Sequence, residues 1–579
     1  MNIEQVWMVR SVHLLEFVRM LAYCGDSGAA APDSGVRGGN LRRGPRGSAP
    51  GWDLKKDCLQ TPPFTTSVTR AEFTELVPDF AWGSATSAYQ IEGASSQFGK
   101  GPSIWDIFCI ESAAKITNGD TGFNGTNAYT KTKEDVQMMK KMGMNSYRFS
   151  ISWSRLLPGG RVNNGVNREG IDYYNNLINE LILNGITPYA TLFHWDTPNY
   201  LEQEYMSFLD KKIVCDFKSY ADLCFYEFGD RVVNWITFNE PANYSISGYD
   251  LGVWAPGRGA AGSGIGDAAT EPYIVTHNIL LCHAATVELY RQRYQASQGG
   301  KIGITLDATY FLPLDPQKID DVAAADRALT FHFGWFMEPL HSGKYPDVMR
   351  KNAGVRLPEF TEEQANLVKG AYDFIGVNYY CSNYATTVAP TDVVSYSNDI
   401  RVHTQADDLN GVPIGPQGGI YWFYSYPPGL YELLMHTKRT YGDPHIKITE
   451  NGWCDATDNT MKIQDALVDD SRIEYHDSHL QSVLKAMKDG VKVDGYFTWS
   501  LMDNFEWASG YSVRFGLNYV DFKDGKYTRY PKKSALWFMD FLNAPTKMPV
   551  AKQLPATRQR GVKRTAESRT IESGNRTKK

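Results

Sequence analysis

The run Asn234-Trp235-Ile236-Thr237-Phe238-Asn239-Glu240-Pro241 is apolar and β-rich, and it stops on a carboxylate. A second run, His445-Ile446-Lys447-Ile448-Thr449-Glu450-Asn451-Gly452, has the same form. Short apolar runs of this kind, bounded by helix-length stretches, read as buried strands. Working outward, six more stand out: Phe80–Ser84, Ser146–Ile151, Thr187–Phe193, Ile302–Leu306, Phe374–Asn378 and Gly495–Trp499. With Asn234–Phe238 and Ile446–Thr449 they make eight predicted strands.

Helices are predicted between them. Lys133–Met142 carries Val136, Met139 and Met142 on one face. Glu169–Leu183 opens with an acidic turn and places Ile171, Tyr174, Leu177, Ile178 and Leu181 at helical spacing. Gly185 follows Asn184 and suits a C-terminal cap. The stretches 211–229, 271–293, 321–338, 428–440 and 472–489 fit further helices. Strand–helix alternation with eight strands implies parallel pairing and an α/β fold, a single (β/α)8 TIM barrel with long βα loops. Such barrels carry their chemistry at the C-terminal ends of the strands. Polar and aromatic residues gather there in this chain: Ser152-Trp153-Ser154-Arg155, His194-Trp195-Asp196, Asn239-Glu240, Asn378-Tyr379-Tyr380, Glu450-Asn451 and Trp499-Ser500. Two carboxylates across one cleft are the minimal apparatus for hydrolysing a glycosidic bond: one protonates the leaving oxygen, the other attacks the anomeric carbon or activates water.

A barrel with insertions accommodates most of the 579 residues as one unit. We divide the chain into an N-terminal extension (1–70), the barrel (71–544) and a tail (545–579). The whole chain carries −6; the tail holds ten Lys/Arg against two Glu and residues 1–70 nine Lys/Arg against six acids, which leaves the barrel at −17. An acidic body argues against nucleic-acid binding. The eight cysteines are scattered, with no metal-ligand spacing, and no metal is expected. No apolar run approaches the length of a membrane span. The stretch Val6 to Tyr23 is interrupted by Arg10, His13, Glu16 and Arg19, unlike a secretory leader. Gly25 to Gly51 is rich in Gly, Ala, Pro and Arg and reads as disordered, as does the basic tail.

From Val77 to Phe541 the chain resembles a plant β-glucosidase of glycoside hydrolase family 1. The resemblance rests on Phe80-Ala81-Trp82-Gly83-Ser84-Ala85-Thr86-Ser87-Ala88-Tyr89-Gln90-Ile91-Glu92-Gly93, on Tyr147-Arg148-Phe149-Ser150-Ile151-Ser152-Trp153-Ser154-Arg155, on Thr191-Leu192-Phe193-His194-Trp195-Asp196, on the two glutamate strings, and on Trp499-Ser500-Leu501-Met502-Asp503-Asn504-Phe505-Glu506-Trp507. It implies that Glu240 is the general acid/base and Glu450 the nucleophile, with Arg148 and Tyr380 as the nucleophile's neighbours. It implies glucose contacts from Gln90, His194, Asn239, Glu506 and Trp507, a sugar platform in Trp499, Phe515 in the same subsite, and an aglycone wall in Trp422. Physical chemistry agrees with the unequal roles. A guanidinium and a phenol would keep Glu450 ionised, whereas Glu240 needs burial or a like charge to start protonated.

Many secreted plant members carry a small disulfide loop after Ala255-Pro256-Gly257-Arg258; here no cysteine precedes Glu271-Pro272-Tyr273. In this the chain is similar to plant alkaloid glucosidases of the strictosidine and raucaffricine type, which imply self-association. The expected substrate is accordingly a small-molecule β-glucoside, foremost a monoterpenoid indole alkaloid glucoside such as strictosidine, cleaved with retention and without a cofactor. An oleuropein-type secoiridoid or a tetrahydroisoquinoline alkaloid glucoside is the alternative. A non-catalytic glycoside-binding barrel would have lost one carboxylate, and both are present. Lys563-Arg564 and Arg576-Thr577-Lys578-Lys579 resemble a bipartite nuclear-import signal, so the expected location is nucleus or cytoplasm rather than ER or vacuole, with an import receptor as partner.

Overall fold

The computed structural model describes residues 66–259, 264–458 and 460–544. The expected N-terminal extension up to residue 65 and the basic tail with its expected import signal lie outside the described residues.

The eight predicted strands are all present: β1 (Ala81–Ala85), β2 (Ser146–Ser150), β3 (Thr187–Phe193), β4 (Asn234–Asn239), β5 (Lys301–Asp307), β6 (Phe374–Asn378), β7 (Ile446–Asn451) and β8 (Val493–Trp499). They close into one parallel barrel in the order β1-β8-β7-β6-β5-β4-β3-β2, and β2 returns to β1. Both faces of a barrel strand are covered, by lumen side chains within and helices without. Every residue of β1, β2, β4, β6 and β7 is buried for that reason, and their sequences read as unbroken runs. At the end opposite the glutamates, Lys447 Nζ meets Asp494 at 2.6 Å beneath the rings of Tyr189 and Phe374.

The helices follow the strands in turn: α1 (Ala128–Met142), α2 (Arg168–Leu183), α3 (Ile213–Phe228), α4 (Glu271–Arg293), α5 (Ile319–Leu329), α6 (Trp335–Ser342), α7 (Pro427–Thr440), α8 (Asp470–Lys488) and α9 (Lys533–Asn543). In α2 the five residues predicted at helical spacing are all buried, and Gly185 takes φ +72° just past the Asn184 cap. The predicted helix 321–338 is two helices, α5 and α6, joined by a wide π-type turn, Thr330–Gly334. Helix α9 is not among the predicted elements, because its run Ala535-Leu536-Trp537-Phe538-Met539 hides the 3.6-residue period. A short helix, Arg70–Leu76, is closed by a capping box between Thr69 and Glu72 and buries Phe73 against Phe80 and Trp82.

The segment after β8 carries Glu506, Trp507 and Phe515, and one buried carboxylate organises it. Asp503 Oδ1 accepts from Lys532 Nζ at 2.8 Å and from the Gly516 amide at 3.0 Å. Its Oδ2 accepts from Arg514 Nη1 at 2.6 Å and the Val520 amide at 3.3 Å. Burial pushes the Asp503 carboxyl up, but the two cations outweigh it and hold it below its ordinary range. Asp503→Asn would leave Lys532 and Arg514 uncompensated in the interior. We expect it to lower the free energy of unfolding in urea by about 3–5 kcal/mol.

Candidate active site

Glu240 follows the last residue of β4 in a left-handed conformation, φ +44°, and opens the short helix Pro241–Ser245 with proline in its first turn. Such a backbone costs on the order of 1–3 kcal/mol for a non-glycine residue. Two other residues of the same mouth share it, Trp195 at φ +71° and Trp507 at φ +51°. The surroundings hold Glu240 there. Its amide donates to the Thr305 carbonyl of β5 at 3.0 Å. Asn378 Nδ2 donates to its Oε1 at 2.6 Å and Asn243 Nδ2 to its Oε2 at 3.0 Å.

Glu450 stands near the end of β7, across the ladder from Asn378. Register irregularities occur at the C-terminal ends of both β4 and β7, where a local bulge re-aims a side chain. Arg148, buried on β2, donates through Nη1 to Glu450 Oε1 and through Nη2 to Asn239 Oδ1. Tyr380 Oη donates to Glu450 Oε2 at 2.6 Å. Tyr380 is itself held by Tyr475, whose hydroxyl donates to the Tyr380 carbonyl at 2.8 Å. Asn239 Nδ2 lies 3.1 Å from His194 Nε2.

Burial raises the pKa of both glutamates, but their neighbours differ. The charges of Glu450 and Asp307 push Glu240 further up, well above the usual carboxylate range, against weaker opposition from Asn378 and Asn243. For Glu450 the rise from burial is countered by the Arg148 guanidinium and the Tyr380 phenol. Glu450 is therefore the first of the pair to ionise, and Glu240 retains its proton. A third carboxyl, Glu506, is pushed up to about 8 by burial and by the charge of Glu450. Burial and Arg148 hold His194 well below its ordinary pKa, so its ring is neutral. Since Nε2 accepts from Asn239, the proton sits on Nδ1.

These groups line one cavity of about 420 Å³, a size suited to a small-molecule ligand. The structure brings His194, Asn239, Glu240, Tyr380, Trp422, Glu450, Trp499, Glu506, Trp507 and Phe515 together on its wall. The remaining two predicted site residues lie behind it. Arg148 is fully buried beneath Glu450, and Gln90 is fully buried behind Glu506, its Nε2 3.3 Å from Glu506 Oε2 and 2.9 Å from both Asn504 Oδ1 and the Phe505 carbonyl. His194 stacks between Trp499 and Trp507, with ring centroids 5.9 and 6.0 Å away. Trp195, Trp254, Ile420, Tyr421 and Trp422 also line it, so that much of the wall is aromatic. Among the described residues no cluster of metal-ligating side chains occurs, and no helix is long and apolar enough to cross a membrane.

The sequence pattern marks Asn378 only as a strand-end residue with no role, and does not mark Asn243, Asp307 or His332 for this cavity. Asn378 ends a predicted strand, so its position was a usable signal. Asp307 lies one residue past the predicted end of its strand. Asn243 heads an Asn-Tyr-Ser triplet that reads as a glycosylation signal, although it follows the Glu240 string too closely to carry a glycan. His332 comes from a helical segment, and no spacing marks it.

Residues 72–546 match the profile of glycosyl hydrolase family 1. The chain is 52% identical over 469 residues to β-glucosidase 12 of Oryza sativa subsp. japonica, covering 80% of this chain and 91% of that protein. It is 47% identical over 515 residues to raucaffricine-O-β-D-glucosidase of Rauvolfia serpentina, covering 84% and 95%. The crystal structure of a rice β-glucosidase superposes with a TM-score of 0.79 at 44% identity, covering 82% of this chain and 99% of that one.

The coupling between the two glutamates is directly testable. Glu450→Gln removes the like charge that Glu240 feels, so the pH midpoint of Glu240 should fall. Carboxyl-labelled NMR titration reads it; an unmoved midpoint would show that the charge of Glu450 does not set the Glu240 proton.

Proposed function

This chain belongs to glycosyl hydrolase family 1 and is a β-glucosidase of the plant type, and from that premise we propose that it cleaves its substrate with retention, Glu240 acting as acid/base and Glu450 as nucleophile. The observation that carries this is the unequal setting of two carboxyls on one cavity wall: one held protonated, the other paired with Arg148 and Tyr380. Glu240 gives its proton to the glycosidic oxygen as the bond to the anomeric carbon breaks. Glu450 attacks that carbon from the opposite face and forms a glycosyl ester. The ester carries no charge, so Glu240 loses its like-charged neighbour and its pKa falls. It then takes a proton from water, the water oxygen attacks the anomeric carbon, and the ester bond to Glu450 breaks. Two inversions leave glucose in the β-configuration.

The sugar would lie on Trp499, with Trp507 and Phe515 beside it. His194 and Asn239, joined to each other, stand on the wall beside it. Glu506 clamps hydroxyls as an acceptor when ionised, and Gln90 orients it from behind. Trp422 belongs to the aglycone wall. For the aglycone we favour a monoterpenoid indole alkaloid of the strictosidine type, whose released hemiacetal opens to a reactive aldehyde. The aromatic cavity wall and the identity to raucaffricine-O-β-D-glucosidase support this reading.

Azide separates the two glutamates, because it needs no proton removed. With Glu240→Ala, azide should intercept the ester and give β-glucosyl azide from a substrate with an activated leaving group. With Glu450→Ala, it should attack directly and give the α-anomer. NMR of the products decides, and swapped anomers would reverse the assignment. For the aglycone, kcat/KM across strictosidine, oleuropein, an ipecac-type glucoside and a simple aryl glucoside should be highest on strictosidine; a higher value on any other moves the substrate to that class.

A further inference from the structure

His332 reaches the cavity from outside the barrel. It sits in the wide turn Thr330–Gly334 between α5 and α6, and its Nε2 closes on Asp307 Oδ2 at the end of β5. The Asp307 side chain is only 9% exposed, whereas that of His332 retains 21% exposure. Both line the cavity that holds Glu240 and Glu450. The pair stands on the β5 side of the acid/base. The Glu240 amide is tied to Thr305, and Asp307 lies two residues further along the same strand, on the same face. Asp307 is close enough that its charge contributes to the raised pKa of Glu240. No sugar contact accounts for this pair. With Nε2 committed to the carboxylate, Nδ1 is the ring nitrogen left over, and it makes no hydrogen bond among the described residues.

We propose that His332, clamped by Asp307, is a specificity-determining hydrogen-bond donor for the aglycone, its Nδ1–H binding a carbonyl oxygen carried near the glycosidic oxygen. This rests on the β-glucosidase reading above and extends it to the chemical class of aglycone. Burial alone would lower the His332 pKa, but the charge of Asp307 and its hydrogen bond reverse that and raise it above the ordinary imidazole value, which favours the form with a proton on each nitrogen. The negative charge of Asp307 balances the imidazolium, which makes the cost of burying it bearable beside an apolar wall. An aglycone bearing an ester or aldehyde would gain a charge-assisted hydrogen bond there. One bearing a hydrocarbon of the same shape would leave the donor unpaired when bound. The alternative is that the Asp307–His332 bond only ties the Thr330–Gly334 turn to the barrel, and that role would be indifferent to the aglycone.

Two aryl β-glucosides distinguish these roles, identical except that a methyl ester on the aglycone ring of one is replaced by an alkyl group of equal size in the other. The measured quantity is the ester-to-alkyl ratio of kcat/KM. It should fall about tenfold in His332→Met, the loss of one hydrogen bond, and recover in part in His332→Gln, which keeps a donor. Calorimetric binding of both glucosides to Glu450→Gln protein, with and without His332→Met, reads the same ratio without turnover. If the wild type turns over neither glucoside, the β-glucosidase reading fails, and the binding ratio still judges His332. A ratio unchanged by His332→Met in both assays would overturn the proposal, whatever the effect on stability.

Discussion

The ion pair between Arg148 and Glu450 is the interaction on which the cavity depends. Burying a carboxylate is costly unless a cation and hydrogen bonds compensate it. Glu240, Glu450 and Glu506 are all buried or nearly so around one cavity, and Arg148 contacts only Glu450 among them. Full ionisation of all three would put three charges against one guanidinium. Of these three glutamates the cavity can hold one ionised cheaply, and the contacts of Arg148 and Tyr380 decide which. Glu240 and Glu506 remain protonated as a consequence, one beside the scissile bond and one beneath the sugar in the proposed mechanism. The division of labour thus follows from where one cation sits, without any special property of the glutamates.

The barrel supplies the precision this arrangement requires. A connected polar network joins the C-terminal ends of β7, β6 and β4. Thr449 Oγ1 donates to Asn378 Oδ1 at 2.7 Å, and Asn378 Nδ2 serves both Glu240 and Asn239 Oδ1, the latter at 3.1 Å. Asn239 in turn joins Arg148 to His194. Each member is anchored in a strand whose own ladder is fixed, so the glutamates cannot drift independently. The left-handed backbone at Glu240 is tolerated because the Thr305 carbonyl and two amide side chains over-determine it. Glu506 lacks a strand and relies on Asp503, which staples its segment to Lys532 and Arg514.

The strands were legible because barrel strands are buried on both faces, leaving runs that no amphipathic helix produces. Their ends were less legible. The apolar run of β5 ends at Leu306, one residue short of Asp307, which closes the strand and lines the cavity. Helix α9 was illegible for the opposite reason: too many of its residues are apolar for a period to show. The resemblance placed the two glutamates and the sugar-site aromatics, but Asn243, Asn378 and His332 acquire meaning only from what the fold puts beside them. Gln90 is a similar case. Its string marks it for a sugar contact, while packing places it behind Glu506, its amide shared with Asn504 and the Phe505 carbonyl. Local pattern reports which residues are buried; it cannot report which neighbour they are buried against.

A single charge links the two protonated carboxyls. Glu450 raises the pKa of both Glu240 and Glu506. Formation of the glycosyl ester would remove that charge once, and both neighbours would respond. Glu240 would become acidic enough to serve as a base. Glu506, raised to about 8 by burial first and by Glu450 second, would shift toward its ionised form, in which it accepts more strongly from the sugar hydroxyls. Binding that tightens only as the reaction proceeds is the kind that accelerates it. The third carboxyl is therefore coupled to the covalent step through Glu450, while burial, the larger cause of its raised pKa, acts on it throughout.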